Sequence, residues 1–168
     1  MTPSEQALFE GTVISDCAEH DHNHLWDDGY RRCMVIQGYF VKFDDYETLR
    51  PQVETQKYVS QRAKLDGSAP RVPEVFHFFH RDFQMGYVAM EYINLMPTPV
   101  PDLTQRVALA LQWLYDLPAP PPNHVGIGPL ENGRACHVLF KDYKAPLSFS
   151  SIEAIQRYLD KICPLIFS

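Results

Sequence analysis

The chain has 168 residues, 45% of them hydrophobic and 21% charged, with a formal net charge of -6. That length supports one domain with a real core or two small lobes, and the composition is that of an ordinary soluble globular protein. An acidic chain without a basic run lacks the lysine and arginine excess that neutralises phosphate, which argues against a nucleic-acid partner, and no apolar run approaches bilayer-spanning length, which argues against a membrane partner.

Residues Ser4 to Glu10 read as a short leading helix or turn. Gly11-Thr12-Val13-Ile14-Ser15-Asp16 is β-branched and reads as a first strand. Cys17 to Arg32, rich in His, Asp and Asn, reads as a loop. A hairpin around Gln37-Gly38 follows, with Tyr39 and Val41 on one strand face and Phe40 and Lys42 on the other. Asp44-Asp45 breaks the strand, and Pro51 suits the first turn of a helix that ends near Asp66-Gly67. Glu74 to Arg81 and Phe83 to Ile93 read as two more strands around an Arg81-Asp82 turn. Asn94 to Pro101 is a proline-rich link and the expected lobe boundary. Asp102 is placed as the N-cap of an amphipathic helix through about Tyr115, and Pro118 to Pro122 ends it. Ala135 to Phe140 reads as a short strand, and Ser150 or Ser151 caps a last helix, Ile152 to Ile162.

The four cysteines, Cys17, Cys33, Cys136 and Cys163, form no CxxC pair, so free thiols are expected and no metal or cofactor is assigned. The opening residues Met1-Thr2-Pro3-Ser4-Glu5-Gln6 show no secretory pattern, and a cytoplasmic location is expected.

Three features carry the candidate chemistry. Lys42 with Glu54 either holds an anionic ligand, acting as acid or base if buried, or forms a structural strand–helix ion pair. His20, His22 and His24 alternate, and on an extended segment would point the same way; with Asp28 they supply general acids and bases or metal-type donors, or simply a solvated polar loop. Trp26, Tyr39, Phe40, Tyr92 and Trp113, with Glu91, are candidates to line a small-molecule cleft, although most of the chain's aromatics are core. His77, His80 and His137 stand singly and are expected to be satisfied locally.

In order, these pieces resemble the aminoglycoside phosphotransferase and choline kinase-like proteins, particularly their fungal members, from about Val35 onward. Val41-Lys42 looks like the strand lysine that holds nucleotide phosphates. Val53-Glu54-Thr55-Gln56-Lys57-Tyr58-Val59 looks like the helix whose glutamate pairs with it, with Glu54 in that place, or Gln52 in a register two residues earlier. Ala69 to Val75 resembles the entry to the next strand, and Tyr87-Val88-Ala89-Met90-Glu91-Tyr92-Ile93 the strand leading to the hinge. Gly126 to Pro129, His137 to Asp142 and Ser151 to Ala154 resemble an insertion of the fungal members. The resemblance implies an α+β fold: a kinase-like small lobe over 1–93, with about five antiparallel strands and one helix, then an incomplete, mainly helical large lobe over 94–168. Pro164 to Ser168 looks like the short strand that precedes the family's catalytic loop, His-x-Asp-x-x-x-x-Asn, which does not occur here. Without that base and the metal-binding residues, phosphoryl transfer is not expected. Two functions remain: conversion of a small organic molecule by acid–base residues, such as an isomerisation, cyclisation or addition in fungal secondary metabolism, or a non-catalytic regulatory partner. Leu165, Ile166 and Phe167 are expected either to support a homodimer or to bury against the last helix.

Overall fold

The computed structural model describes residues 2–82, 84–94, 101–118, 120, 127–128, 130, 134–135, 140 and 145–166, with side chains up to 161. It divides into two compact units, Met1–Pro118 and Ala119–Ser168. The division falls beyond the expected boundary at 93/94, so the helix after the proline-rich link belongs with the first unit.

The first unit opens with a long helix, α1 (Pro3–His24). This corrects the sequence reading of residues 4–32, which places a strand at Gly11–Asp16 and a loop from Cys17. The helix is started by a capping box: Thr2 Oγ1 accepts from Glu5 N, Glu5 Oε2 accepts from Thr2 N, and Pro3 occupies the first turn. It is held by a stripe at four-residue spacing, since Phe9, Val13 and Cys17 are all buried. Packing of that stripe overrides the weak strand preference of Thr12, Val13 and Ile14.

Strands β1 (Cys33–Ile36) and β2 (Tyr39–Asp45) form the expected hairpin, with Ile36 opposite Tyr39. Gln37 and Gly38 both have positive φ, 51° and 83°, as a two-residue type I′ turn requires. A β-carbon on Gly38 meets no atom within 4 Å, so its cost is purely conformational. Gly38→Ala is expected to lower stability by about 1–2 kcal/mol, measurable by urea titration. An unchanged midpoint would contradict this turn.

Asp45 ends β2 and caps helix α2 (Tyr46–Leu65), accepting from Thr48 N at 3.0 Å. Pro51 therefore sits inside the helix rather than in its first turn, and it is buried. Strands β3 (Val75–Arg81) and β4 (Met85–Glu91) follow, joined through Asp82 at φ 52°. The result is one antiparallel sheet of four strands in the order β1-β2-β4-β3. The expected count of about five falls by one because the proposed first strand is helical.

The sheet is covered on both faces. One core joins Phe9, Val13 and Cys17 of α1 to Ile36, Val41, Phe43, Phe79, Tyr87 and Ala89. The other joins Leu49 and Val53 of α2 to Val88, with Val75, Phe78 and Met90 packed against them. The period of two places Val41 and Phe43 under α1, and Phe40, Lys42 and Asp44 on the α2 side. A half-buried contact at hydrogen-bond distance between Glu10 Oε1 and His77 Nε2, at 2.7 Å, ties α1 to β3.

Helix α3 (Leu103–Tyr115) completes the unit. Asp102 precedes it at φ 58° and makes no side-chain cap bond, contrary to the expected N-cap role. Two hydrogen bonds hold the helix and the chain after it: Trp113 Nε1 donates to Asp66 Oδ2 at 2.8 Å, and Tyr58 Oη donates to Pro118 O at 2.5 Å. Its apolar residues Leu103, Val107, Leu109, Leu111 and Leu114 are exposed.

In the second unit, Phe140, Ala145 and Phe149 pack with Ala154, Ile155 and Tyr158 of α4 (Ile152–Ile166). Ser151 Oγ accepts from Ala154 N, as the sequence suggests for this helix start. The helix runs on through Pro164 to Ile166, so the short strand expected from Pro164 is helical as far as the described residues extend. Residues 136–139 of the expected Ala135–Phe140 strand lie outside the described residues, as do Phe167, Ser168 and His137.

Candidate functional site

The site is built around Lys42. Its place on β2 turns it toward α2, where its Nζ donates to Gln52 Oε1 at 2.6 Å. Gln52 Nε2 donates to Thr48 O at 3.1 Å, which fixes the amide so that its oxygen faces the lysine. Glu54 points elsewhere and pairs with Lys57 at 2.7 Å. The proposed Lys42–Glu54 pair is thus replaced by a charged–neutral hydrogen bond in the alternative register, leaving the ammonium charge uncompensated by its helix partner.

Lys42 opens onto a cavity of about 480 Å³. Leu25, Phe40 and Phe43 supply its apolar wall, Tyr30 and Cys33 line it, and Arg31, Arg32, Lys42 and Asp44 bring charge. Arg32 is already engaged: its Nε lies 3.0 Å from Asp21 Oδ1 and its Nη1 lies 3.4 Å from Asp44 Oδ1. Tyr30 Oη donates to Asp21 at 2.8 Å. Burial pulls the Asp21 carboxyl upward, but the hydrogen bonds from Arg32 and Tyr30 and the Arg32 charge outweigh it, so Asp21 lies below the ordinary carboxylate range. Burial, then the hydrogen bond to Asp21 and its charge, pushes the Tyr30 phenol up to about 12. The wall is therefore built by one carboxylate on α1 holding a tyrosine and an arginine. Lys42 and Arg31 supply positive charge to the remaining space.

The sequence candidates are divided by the fold. Phe40 and Lys42 reach the cavity. His20 lies just behind it, its ring 5.5 Å from Tyr30 and 6.4 Å from Phe43. Because the segment is helical, His20 and His24 share a face, with rings 4.7 Å apart, while His22 points away; the expected common direction of all three is corrected. His24 Nδ1 meets Asp27 Oδ2 at 2.8 Å. Asp28 and His22 are exposed, and Trp26 is 91% exposed. Tyr39 packs edge-on to Phe9 and Phe76 at the hairpin end. Glu91 is bound by Arg71, whose hydrogen bond holds its carboxyl below the usual range. Tyr92 is exposed and Trp113 bonds Asp66, so neither reaches the Lys42 cavity. Tyr30, one of the aromatics weighed as pocket-lining, reaches the cavity, whereas Arg31, Arg32, Cys33 and Asp44 are not singled out as site residues by the sequence. A signal is present: Tyr30-Arg31-Arg32 abuts the strand that pairs with the Lys42 strand, Cys33 lying opposite Lys42.

Among the described residues no group of three or more His, Cys, Asp or Glu side chains is placed to hold a metal ion. No helix among them is long and apolar enough to cross a membrane. Comparison with protein-family models, curated proteins and solved structures yields no match.

Proposed function

We propose that the first unit is a kinase-like small lobe put to a different use, binding a small organic anion at Lys42 and converting it by proton transfer rather than moving phosphate. The order of its parts supports the small-lobe reading: a strand lysine on β2, the crossing helix α2, then the β3–β4 pair ending in Met90-Glu91. The loss of nucleotide chemistry is supported by Gln52, which stands where that fold uses a carboxylate against the lysine. The observation that carries the small-molecule reading is the cavity itself. It has the volume of a ligand site, an apolar wall, and convergent charge from Lys42 and Arg31. Lys42 anchors the anionic group, and Asp44, held by Arg32, is the carboxylate on the same wall that we assign to face the reacting atoms.

Phenyl phosphate and benzoate, which unite a ring with an anion, are suitable probes. Either is expected to slow alkylation of Cys33, which lines the cavity. Lys42→Met is expected to weaken that protection about tenfold or more, since a hydrogen bond to a charged group contributes about 1.5–3 kcal/mol. Equal protection in wild type and Lys42→Met, or brisk magnesium-dependent ATP consumption by the purified chain, would overturn the proposal.

A second reading, a non-catalytic binding partner in which the chain docks another protein or a second copy of itself, is favoured by α3. Its apolar side chains stand exposed along one helix. Absence of probe binding, together with a partner-dependent loss of accessibility at Val107 and Leu111, would favour that reading.

A further inference from the structure

The end of α1 holds a pair of imidazoles that the Lys42 cavity does not use. We infer that His20 and His24 together bind one divalent transition-metal ion, with water completing its coordination. They lie one helical turn apart on the same face, and their rings stand 4.7 Å apart. A single cation about 2.1 Å from each ring nitrogen can span that gap.

Three features make this more than two neighbouring histidines. First, His24 is already oriented. Its Nδ1 contacts a carboxylate oxygen of Asp27 at 2.8 Å, which holds the ring by that nitrogen and keeps Nε2 as the ligating atom. A carboxylate holding the far nitrogen of a ligating histidine is the usual outer support of a metal site. Second, His20 is packed rather than free, lying against the rings of Tyr30 and Phe43, so little side-chain freedom remains to be lost on binding. Third, the field is favourable. The pair lies in the last turns of a helix, where the backbone dipole is negative, and the Asp27 carboxylate lies against His24.

The donor set fixes the class of ion. Two neutral imidazoles suit copper, nickel and zinc rather than calcium or magnesium, which prefer oxygen ligands. No third protein ligand joins the pair among the described residues, so the site is open and exchangeable. The bound ion clips the last turn of α1, the turn that carries Asp21 and through it Tyr30 and Arg32.

Nickel is the probe, and Trp26 the reporter, because it is exposed and lies two residues beyond His24. In a Trp113→Phe background, leaving one tryptophan, Ni2+ is expected to quench fluorescence saturably at one equivalent. Asp27→Asn is expected to weaken the midpoint about tenfold. His20→Ala and His24→Ala are each expected to weaken it further, and His22→Ala, on the opposite face, to leave it unchanged. Zinc is expected to raise the melting temperature of wild type but not of the double His20→Ala/His24→Ala variant, whose fold is checked by circular dichroism. Undiminished quenching in that double variant, or loss of quenching in His22→Ala, overturns the inference.

Discussion

Replacing Phe43 by alanine is expected to cost about 3–5 kcal/mol of folding stability. Phe43 is 1% exposed and sits where α1, the sheet and the cavity wall meet. Its ring stacks on Tyr87 at 6.3 Å and meets His20 edge-on. Truncation removes the apolar area and leaves a void that neither helix nor sheet can fill without moving. The loss is comparable to much of the stability of a small domain, so Phe43→Leu provides a graded variant that keeps most of the volume. Val35→Ala is the control, because Val35 is 47% exposed on the edge strand and is expected to change stability by less than about 0.5 kcal/mol. The measurement is urea unfolding followed by far-ultraviolet circular dichroism. A cost below about 1 kcal/mol for Phe43→Ala would mean that α1 does not cover this face.

The second large effect is chemical. Burial, followed by the negative charges of Asp16 and Asp21, pushes the Cys17 thiol from 9.0 up to about 12. The thiolate is the reactive form, so three pKa units mean about a thousandfold less of it at neutral pH. With Cys136 and Cys163 replaced by serine, iodoacetamide at pH 8 is expected to modify Cys33 and to spare Cys17 until the chain unfolds. Equal rates at the two thiols in the native protein would show that the α1 stripe is open. The same shift sets an alkaline limit. A raised folded-state pKa means that the fold holds the proton more tightly than the unfolded chain does. Its contribution is complete below the unfolded pKa near 9 and is lost as pH rises toward about 12, at roughly 1.4 kcal/mol per pH unit in that window. Tyr30, raised from 10.0 to about 12, acts in the same direction over the upper part of that range.

The sheet is largely legible in the residues, because a two-residue turn between apolar runs and strict alternation leave few options. Gln37-Gly38 locates the hairpin, and alternation puts Val41 and Lys42 on opposite faces. The first helix escapes such a reading, although both signals for it are present. Thr2, Pro3 and Glu5 form a complete start signal, and Phe9, Val13 and Cys17 recur every four residues. The β-branched run at Thr12-Val13-Ile14 outweighs them when local preference is judged without its packing partner. The histidines are misplaced with it, since an extended segment and a helix sort residues 20, 22 and 24 differently. Lys42, picked out by the strand it sits on and by resemblance, and Phe40, picked out as an aromatic, both line the cavity. Tyr30 stands out only as one of many aromatics, and Arg31 and Arg32 do not stand out at all, because what brings them to Lys42 is strand pairing and the Asp21 carboxylate on α1, a contact across eleven residues of chain in the case of Arg32.

The bond between Glu10 and His77 also bears on how the chain is made. Helix α1 leaves the ribosome well before its partners Phe79 and Tyr87, which lie on the last strands of the sheet. At typical synthesis speeds the interval between Cys17 and Tyr87 is roughly 3.5–14 s. For most of it only the β1–β2 hairpin, through Ile36, Val41 and Phe43, is there to cover the Phe9–Val13–Cys17 stripe. The core under α1 is thus completed only when Phe79, Tyr87 and Ala89 join it, from strands far along the chain from the helix they cover.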